Sequence, residues 1–441
     1  MDNLSQFEAL AEWLRGALSA GEEFSLGYSS ESSEFIRFNR AKVRQAGQVQ
    51  QTSLSLQLIR DGRHAELQLS LAGTPREDRQ RLADALAQLR QTLPLLPADP
   101  YLQFNREAWH SQVLQLEALP DSAALLEQIG QAAGDLDLVG FYAAGPLSRG
   151  FASSSGAFGW HQASSFNFDW SLFHANGQAV KAQYAGQNWQ PEQFARRLQQ
   201  AREQLAYLGR PARTLEPGAY RAYLAPAALQ EILELLGWGG FSARALADRD
   251  SPLQRLHAGE ARLSPLLQLH EQVRGALTPG FSSEGYPRRD LELIRAGQPG
   301  ETLVSARSAA EYGLPANGAS PWESPESLTM AGGELAQEDI LARLGSGLYI
   351  GNLWYLNYSD RPAARITGMT RFASFWVEHG RIQAPLASMR FDDSLYDLLG
   401  SQLEALTRER ELSLSTSTYR QRHHGSSLLP GALLSRLTLT L

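Results

Sequence analysis

Two alternating runs on either side of Asp61-Gly62 constrain this chain more than any other feature of its 441 residues. Leu54, Leu56 and Leu58 alternate with Ser53, Ser55 and Gln57, and past the Asp-Gly pair Ala65, Leu67, Leu69 and Leu71 alternate with Glu66, Gln68 and Ser70. A period of two places every apolar side chain on one face of a strand. Asp and Gly both tolerate the positive φ of a type I′ turn, so the two runs are predicted to fold back as a hairpin. A sheet with one apolar face must be covered by another layer.

Covering helices are legible as well. Phe7, Leu10, Ala11, Leu14, Ala17 and Leu18 recur at helical spacing behind the possible caps Asp2 and Asn3. Thr74-Pro75-Arg76-Glu77 opens a second helix with proline at its first residue and Glu77 at the capping-box position. Its inward face is Leu82, Ala85, Leu86, Leu89 and Leu93, and the proline-rich stretch Pro94 to Pro100 ends it. Phe24 to Ser29 and Phe35 to Phe38 read as two further strands.

A third helix is expected near Ser122 to Ala133, then strands at Leu136 to Ala143 and Phe166 to Phe173, a turn at Asn176-Gly177 and an arginine-rich helix from Pro191 to Leu208. Arg210 to Gly218 interrupts every periodicity and sets a domain boundary near residue 212. Beyond it come a strand (Tyr220 to Leu224), a helix (Pro226 to Leu236), and expected helices at Pro265 to Ala276 and Ala336 to Leu344. Short alternating, glycine-punctuated segments surround these, and Thr438 to Leu441 reads as a closing strand. The expected class is α+β: residues 1–212 form an N-terminal α+β domain with a meandering antiparallel or mixed sheet, and residues 213–441 a β-rich C-terminal domain.

Charge and composition narrow the function. A formal net charge of −7 argues against a surface built for nucleic acid. Only Lys42 and Lys181 among 40 basic residues are lysine, a bias of composition rather than a set of phosphate clamps. With no cysteine, disulfides, thiolate nucleophiles and thiolate metal ligands are excluded. Met1-Asp-Asn-Leu-Ser has no basic stretch before an apolar core, as a signal peptide would, and no run approaches the roughly 20 apolar residues of a membrane span. A soluble, cytoplasmic protein is the expectation.

Several segments in order carry a family resemblance. They are Asp137-Leu138-Val139-Gly140-Phe141-Tyr142 with Ser148 to Gly156; Gly280-Phe281-Ser282-Ser283-Glu284-Gly285 with Leu293 to Gly297; Pro325 to Ile350; and Ile366-Thr367-Gly368 followed by Val377 to Pro385. Together they resemble the TldD/PmbA family, the "modulator of DNA gyrase" metallopeptidases. Ser282 stands where that family more often has Asp.

The catalytic TldD type carries His-Glu-x-x-x-His on the helix after the first strand of its second domain, and a cysteine near its C-terminus completes the zinc site. The matching helix, Ala227 to Trp238, has no histidine; it keeps Glu231 and Glu234, which read as an exposed polar face. His270-Glu271 lacks the further histidine, since Arg274 and Gly275 occupy the candidate positions, and reads as a solvated helix face. Arg422-His423-His424-Gly425 lies where the cysteine would be, but adjacent residues of an extended segment point to opposite faces. His423, His424 and His257 remain the low-ranked metal candidates; His161 and His174 are scattered.

Other chemistry is weaker. Ser153-Ser154-Ser155 lacks the setting of a nucleophile elbow, and Gly345-Ser346-Gly347 has no Walker lysine. Trp354, Tyr355 and Tyr358, with Phe372, Phe375 and Trp376, could line a peptide groove, although packing between strands explains such aromatics as well. The resemblance therefore implies a PmbA/TldE-type chain with no catalytic or metal residue of its own, zinc being held by a TldD-type partner subunit. The implied partners are that subunit or further copies of this chain, with peptide as substrate and neither nucleic acid nor membrane. A self-sufficient metallopeptidase with unfamiliar ligands and a non-enzymatic protein-binding regulator are the alternatives.

Overall fold

The computed structural model describes residues 2–440. Its first layer is a seven-stranded sheet built from β1 (Glu23–Asn39), β2 (Lys42–Arg60), β3 (Arg63–Ser70), β4 (His110–Gln115), β5 (Asp137–Ser153), β6 (Phe158–Phe173) and β7 (Ala179–Gly186). The order is β3-β2-β1-β5-β6-β4, with β7 also on β6, and every pair is antiparallel except β4 with β6. The hairpin forms as its pattern dictates: Arg60 pairs with Arg63, and Asp61 and Gly62 have φ of 51° and 72°.

Helices α1 (Asn3–Ala17), α2 (Pro75–Thr92), α3 (Ser122–Ala133) and α4 (Pro191–Leu208) cover the apolar face. Phe7, Leu10 and Leu14 of α1 and Leu82, Leu86 and Leu89 of α2 share one core with Leu54, Leu56 and Leu58. A second core joins α3 and α4 to Phe166, Phe168 and Trp170. Thr74 sits at the N-cap of α2 but its hydroxyl donates to the Glu77 carboxylate (3.0 Å) instead of accepting from the helix backbone.

The second, eleven-stranded sheet comprises β8 (Gly218–Leu224), β9 (Leu269–Glu271), β10 (Leu291–Arg295), β11 (Gln298–Pro299), β12 (Ser327–Met330), β13 (Gly347–Asp360), β14 (Arg365–Glu378), β15 (Arg381–Pro385), β16 (Arg390–Ser394), β17 (Leu403–Leu414) and β18 (Ser426–Leu439). Pairings β8–β13–β14–β16–β18 return to β8, closing a ring of strands. Helix α5 (Pro226–Leu236) follows β8 and buries Leu229, Ile232, Leu233 and Leu236 in the same core as Leu348, Ile350 and Leu434. The architecture is mixed α+β. Leu441, the last residue of the expected closing strand, lies outside the described residues.

Two expectations fail instructively. The helix expected at Pro265 to Ala276 is absent; Leu269 to Glu271 is a strand, in which Leu269 and Glu271 are buried on one face. The two short strands expected between Phe24 and Phe38 are one continuous strand, because the polar residues between them are covered rather than solvated. Ser30, Glu31 and Ser33 are buried beneath a strap, residues 415–425, that crosses from β17 to β18. Gln421 accepts from Ser29 Oγ at 2.7 Å, and the Arg420 carbonyl accepts from Gln51 Nε2 at 2.7 Å.

Arg422 fixes the strap. Its guanidinium donates to Ser33 Oγ (3.2 Å), the Gly145 carbonyl (3.2 Å), and the Ser165 carbonyl and hydroxyl (3.1 and 2.9 Å). Gly145 can serve there only as glycine: its φ is +138°, and a Cβ would lie 2.0 Å from the Ser32 carbonyl oxygen. Gly145→Ala is expected to cost at least about 1–3 kcal/mol through backbone strain alone. Chemical denaturation checks this; an unchanged midpoint would show that the backbone there relaxes freely.

Candidate functional site

A cleft of about 1420 Å³ opens between the two sheets. Its walls include α5, α4, residues 181–183 of β7 and the two feet of the strap, residues 415–417 and 425–427. That volume exceeds the roughly 300–1,000 Å³ typical of small-molecule pockets.

The cleft face of α5 follows from its amphipathicity. With Ala228, Leu229, Ile232, Leu233, Leu235 and Leu236 turned inward, Ala227, Gln230, Glu231 and Glu234 remain for the opening. Gln230 Nε2 donates to Glu234 Oε1 at 2.6 Å. Glu231 is half-buried; burial first, and then the charge of Glu234, hold its carboxyl above the usual range, while Lys181 acts the other way. These are the two carboxylates that sequence alone reads as a solvated face.

Ion pairs dress the opposite wall. Lys181 Nζ on β7 lies 3.5 Å from Asp169 on β6, and burial raises the Asp169 carboxyl against that pull. Arg197 on α4 donates to Glu411 on β17 at 3.2 Å, and Gln183 bonds Ser413. Gln204 of α4 meets the Tyr349 hydroxyl at 3.4 Å, and burial pushes that phenol up to about 12.

Glu326 also lines the cleft, and its placement is set from behind. Arg288, 6% exposed, donates to Glu326 at 2.6 Å and pairs on its other side with Glu271, 2% exposed. Glu271 in turn accepts from the backbone amides of Glu326 and Ser327. Burial raises the Glu271 carboxyl, and Arg288 and the Ser327 amide oppose it. The solvated-helix reading of His270-Glu271 is thus corrected. Glu271 is an interior counter-ion, and the buried positions Leu267, Leu269 and Glu271 alternate with a period of two. Arg288 carries no local signal of this role in the sequence, because its partners Glu271 and Glu326 lie 17 and 38 positions away.

The candidate histidines do not meet. His423 is exposed on the strap, while His424 points inward, buried, with Nε2 lacking a partner among the described residues. His161 of β6 approaches the same interior and bonds the Leu277 carbonyl at 2.8 Å. His257 sits apart, half-buried beside Leu256, and burial alone lowers its pKa. Among the described residues no three His, Asp or Glu side chains form a metal-holding group. Zinc favours imidazole and thiolate donors, and α5 offers the cleft only amide and carboxylate. The residues present do not fit a zinc centre on this helix.

Trp354, Tyr355 and Tyr358 lie outside the cleft lining. Trp354 stacks on Arg371 at 4.5 Å, Tyr355 is 81% exposed with φ of +59°, and the Tyr358 hydroxyl donates to the Leu235 carbonyl at 3.0 Å. Phe375 is a core residue.

Comparison with known proteins adds kinship. Residues 217–441 match the family described as "PmbA/TldA metallopeptidase C-terminal domain". The chain is 28% identical over 128 residues to the metalloprotease PmbA of Escherichia coli O157:H7, covering 29% of this chain and 27% of that protein. It is 33% identical over 157 residues to the PmbA homologue of Haemophilus influenzae, covering 33% and 32% of the two chains. The matched stretches thus span about a third or less of each curated relative. TldE from Thermococcus kodakarensis superposes with a TM-score of 0.76 at 14% identity over 99% of this chain and 100% of that one, a likeness of fold.

Proposed function

The chain belongs to the PmbA/TldD metallopeptidase family, and on that premise we propose that it is a PmbA/TldE-type subunit of a TldD-type peptide-processing system. A TldD-type partner supplies the zinc and its activated water. This chain encloses and orients the peptide, taking an extended segment into the cleft between its sheets, while an exposed sheet edge can pair with further main chain as an added strand. Its work is cytoplasmic, with which a cysteine-free composition is consistent.

One observation carries the reading. The helix that fronts the cleft presents Gln230, Glu231 and Glu234, with no imidazole among them. A free edge lies elsewhere on the same sheet: β2 from Lys42 to Gln51 is exposed throughout and β3 pairs only from Ser53 onward, on the far side of β1, β5 and β6 from the cleft strand β7.

The test is to purify the chain alone and with a TldD-type subunit, measuring zinc and hydrolysis of an unfolded peptide. The expected result is substoichiometric zinc and no turnover alone, with turnover restored and a complex retained on mixing. Stoichiometric zinc with hydrolysis by the isolated chain would overturn the proposal and favour a self-sufficient peptidase.

A further inference from the structure

The lining of the cleft carries an excess of negative charge that its own cations do not cancel. Lys181 is committed to Asp169 and Arg197 to Glu411, while Glu326 is held by Arg288. Glu203, Glu231, Glu234 and Glu338 also face the opening, and among the described residues none of them forms an ion pair. Arg210 also lines the cleft, with its guanidinium turned to the Gln383 carbonyl at 3.0 Å, and Lys181, already paired with Asp169, is the cation that acts on Glu231.

Position sharpens the effect. Glu231 and Glu234, three residues apart on α5, both line the cleft, and Gln230 is the neighbour that bonds Glu234. In open water such charges fade within a Debye length of about 8 Å. Between two protein walls they are screened less, and field lines are focused into the gap. Burial first, and then the charge of Glu234, raise the Glu231 carboxyl.

We propose that this cleft selects cationic peptide segments, those carrying lysine, arginine or a free amino terminus, over acidic ones. The inference rests on the reading of the cleft as a peptide site and adds the substrate class to it. Glu231 and Glu234 are the specificity residues: a side-chain ammonium or guanidinium seated between them relieves their mutual repulsion. An acidic segment meets unpaired carboxylates instead.

The test is fluorescence anisotropy with the full chain and end-blocked peptides of equal length, their variable positions all Lys, all Gln or all Glu. The Lys peptide is expected to bind about tenfold or more tighter than the Glu peptide at low salt, with the gap closing as salt rises. Glu231→Gln with Glu234→Gln should shrink the Lys-to-Glu affinity ratio to about threefold or less. Equal binding of all three peptides, or an undiminished preference in the double variant, overturns the charge preference and leaves the peptide site standing. If no peptide of any charge binds, the peptide-site reading itself falls, and this inference with it.

Discussion

Arg288→Met is expected to cost about 3–5 kcal/mol of stability, the range for breaking a buried ion pair by removing one partner. Methionine keeps most of the volume but leaves the Glu271 carboxylate, 2% exposed, facing Glu326 with no cation between them. The measurement is a urea titration, read as a lowered midpoint at unchanged slope. Arg288→Met combined with Glu271→Gln should recover part of the loss, because the amide removes the uncompensated charge and still accepts from the Ser327 amide. A loss below about 1 kcal/mol in the single variant would mean that water reaches Glu271 and that the pair is a surface contact. The double variant has a functional reading too. Glu326 reaches the cleft because Arg288 draws it there, so its position in the lining should change even where stability is recovered.

Much of this architecture was legible in the residues. Helices α3, α4 and α5 begin and end where periodicity and proline place them, and Asp61-Gly62 turns as its chemistry requires. What misled was burial of polar groups. Ser30, Glu31 and Ser33 look like a loop because serine and glutamate are mostly exposed, yet the strap covers them. Glu271 looks like the polar side of a helix because its counter-ion lies 17 positions away in sequence. A charge compensated across the fold has no local signature. The same limit applies to the cleft. Glu231 and Glu234 were visible as a helical pair, but Lys181, Arg197 and Glu411 come from three further elements whose juxtaposition only the tertiary fold supplies. The candidate histidines illustrate the reverse case: adjacency on an extended segment already said that His423 and His424 point apart, and they do.

Acid should destabilise this protein through His424, and replacing that residue should blunt the effect. Burial first, then the positive charges of Arg422 and Arg149, lower its pKa from an ordinary 6.5 to about 3. The unfolded chain therefore takes up a proton near pH 6.5 that the folded chain refuses until about pH 3. Stability is complete above the unfolded value, and it falls as pH drops through the window between the two, by about 1.4 kcal/mol per unit. Between pH 7 and pH 5 the expected loss from this group is about 2 kcal/mol. His161 and His257 are lowered by burial as well and add in the same direction, whereas the raised carboxyls of Glu271 and Glu231 act oppositely. Those groups are common to a His424→Gln variant, so the difference between the two acid limbs isolates His424. Urea midpoints across this range should fall less steeply in the variant, by about 2 kcal/mol in total. Superimposable limbs would mean that the strap lifts and lets the imidazole take its proton in water. Hydrogen exchange over residues 418–425 distinguishes the two: a docked strap stays protected at pH 5 in the variant, and a lifted one exchanges in both proteins.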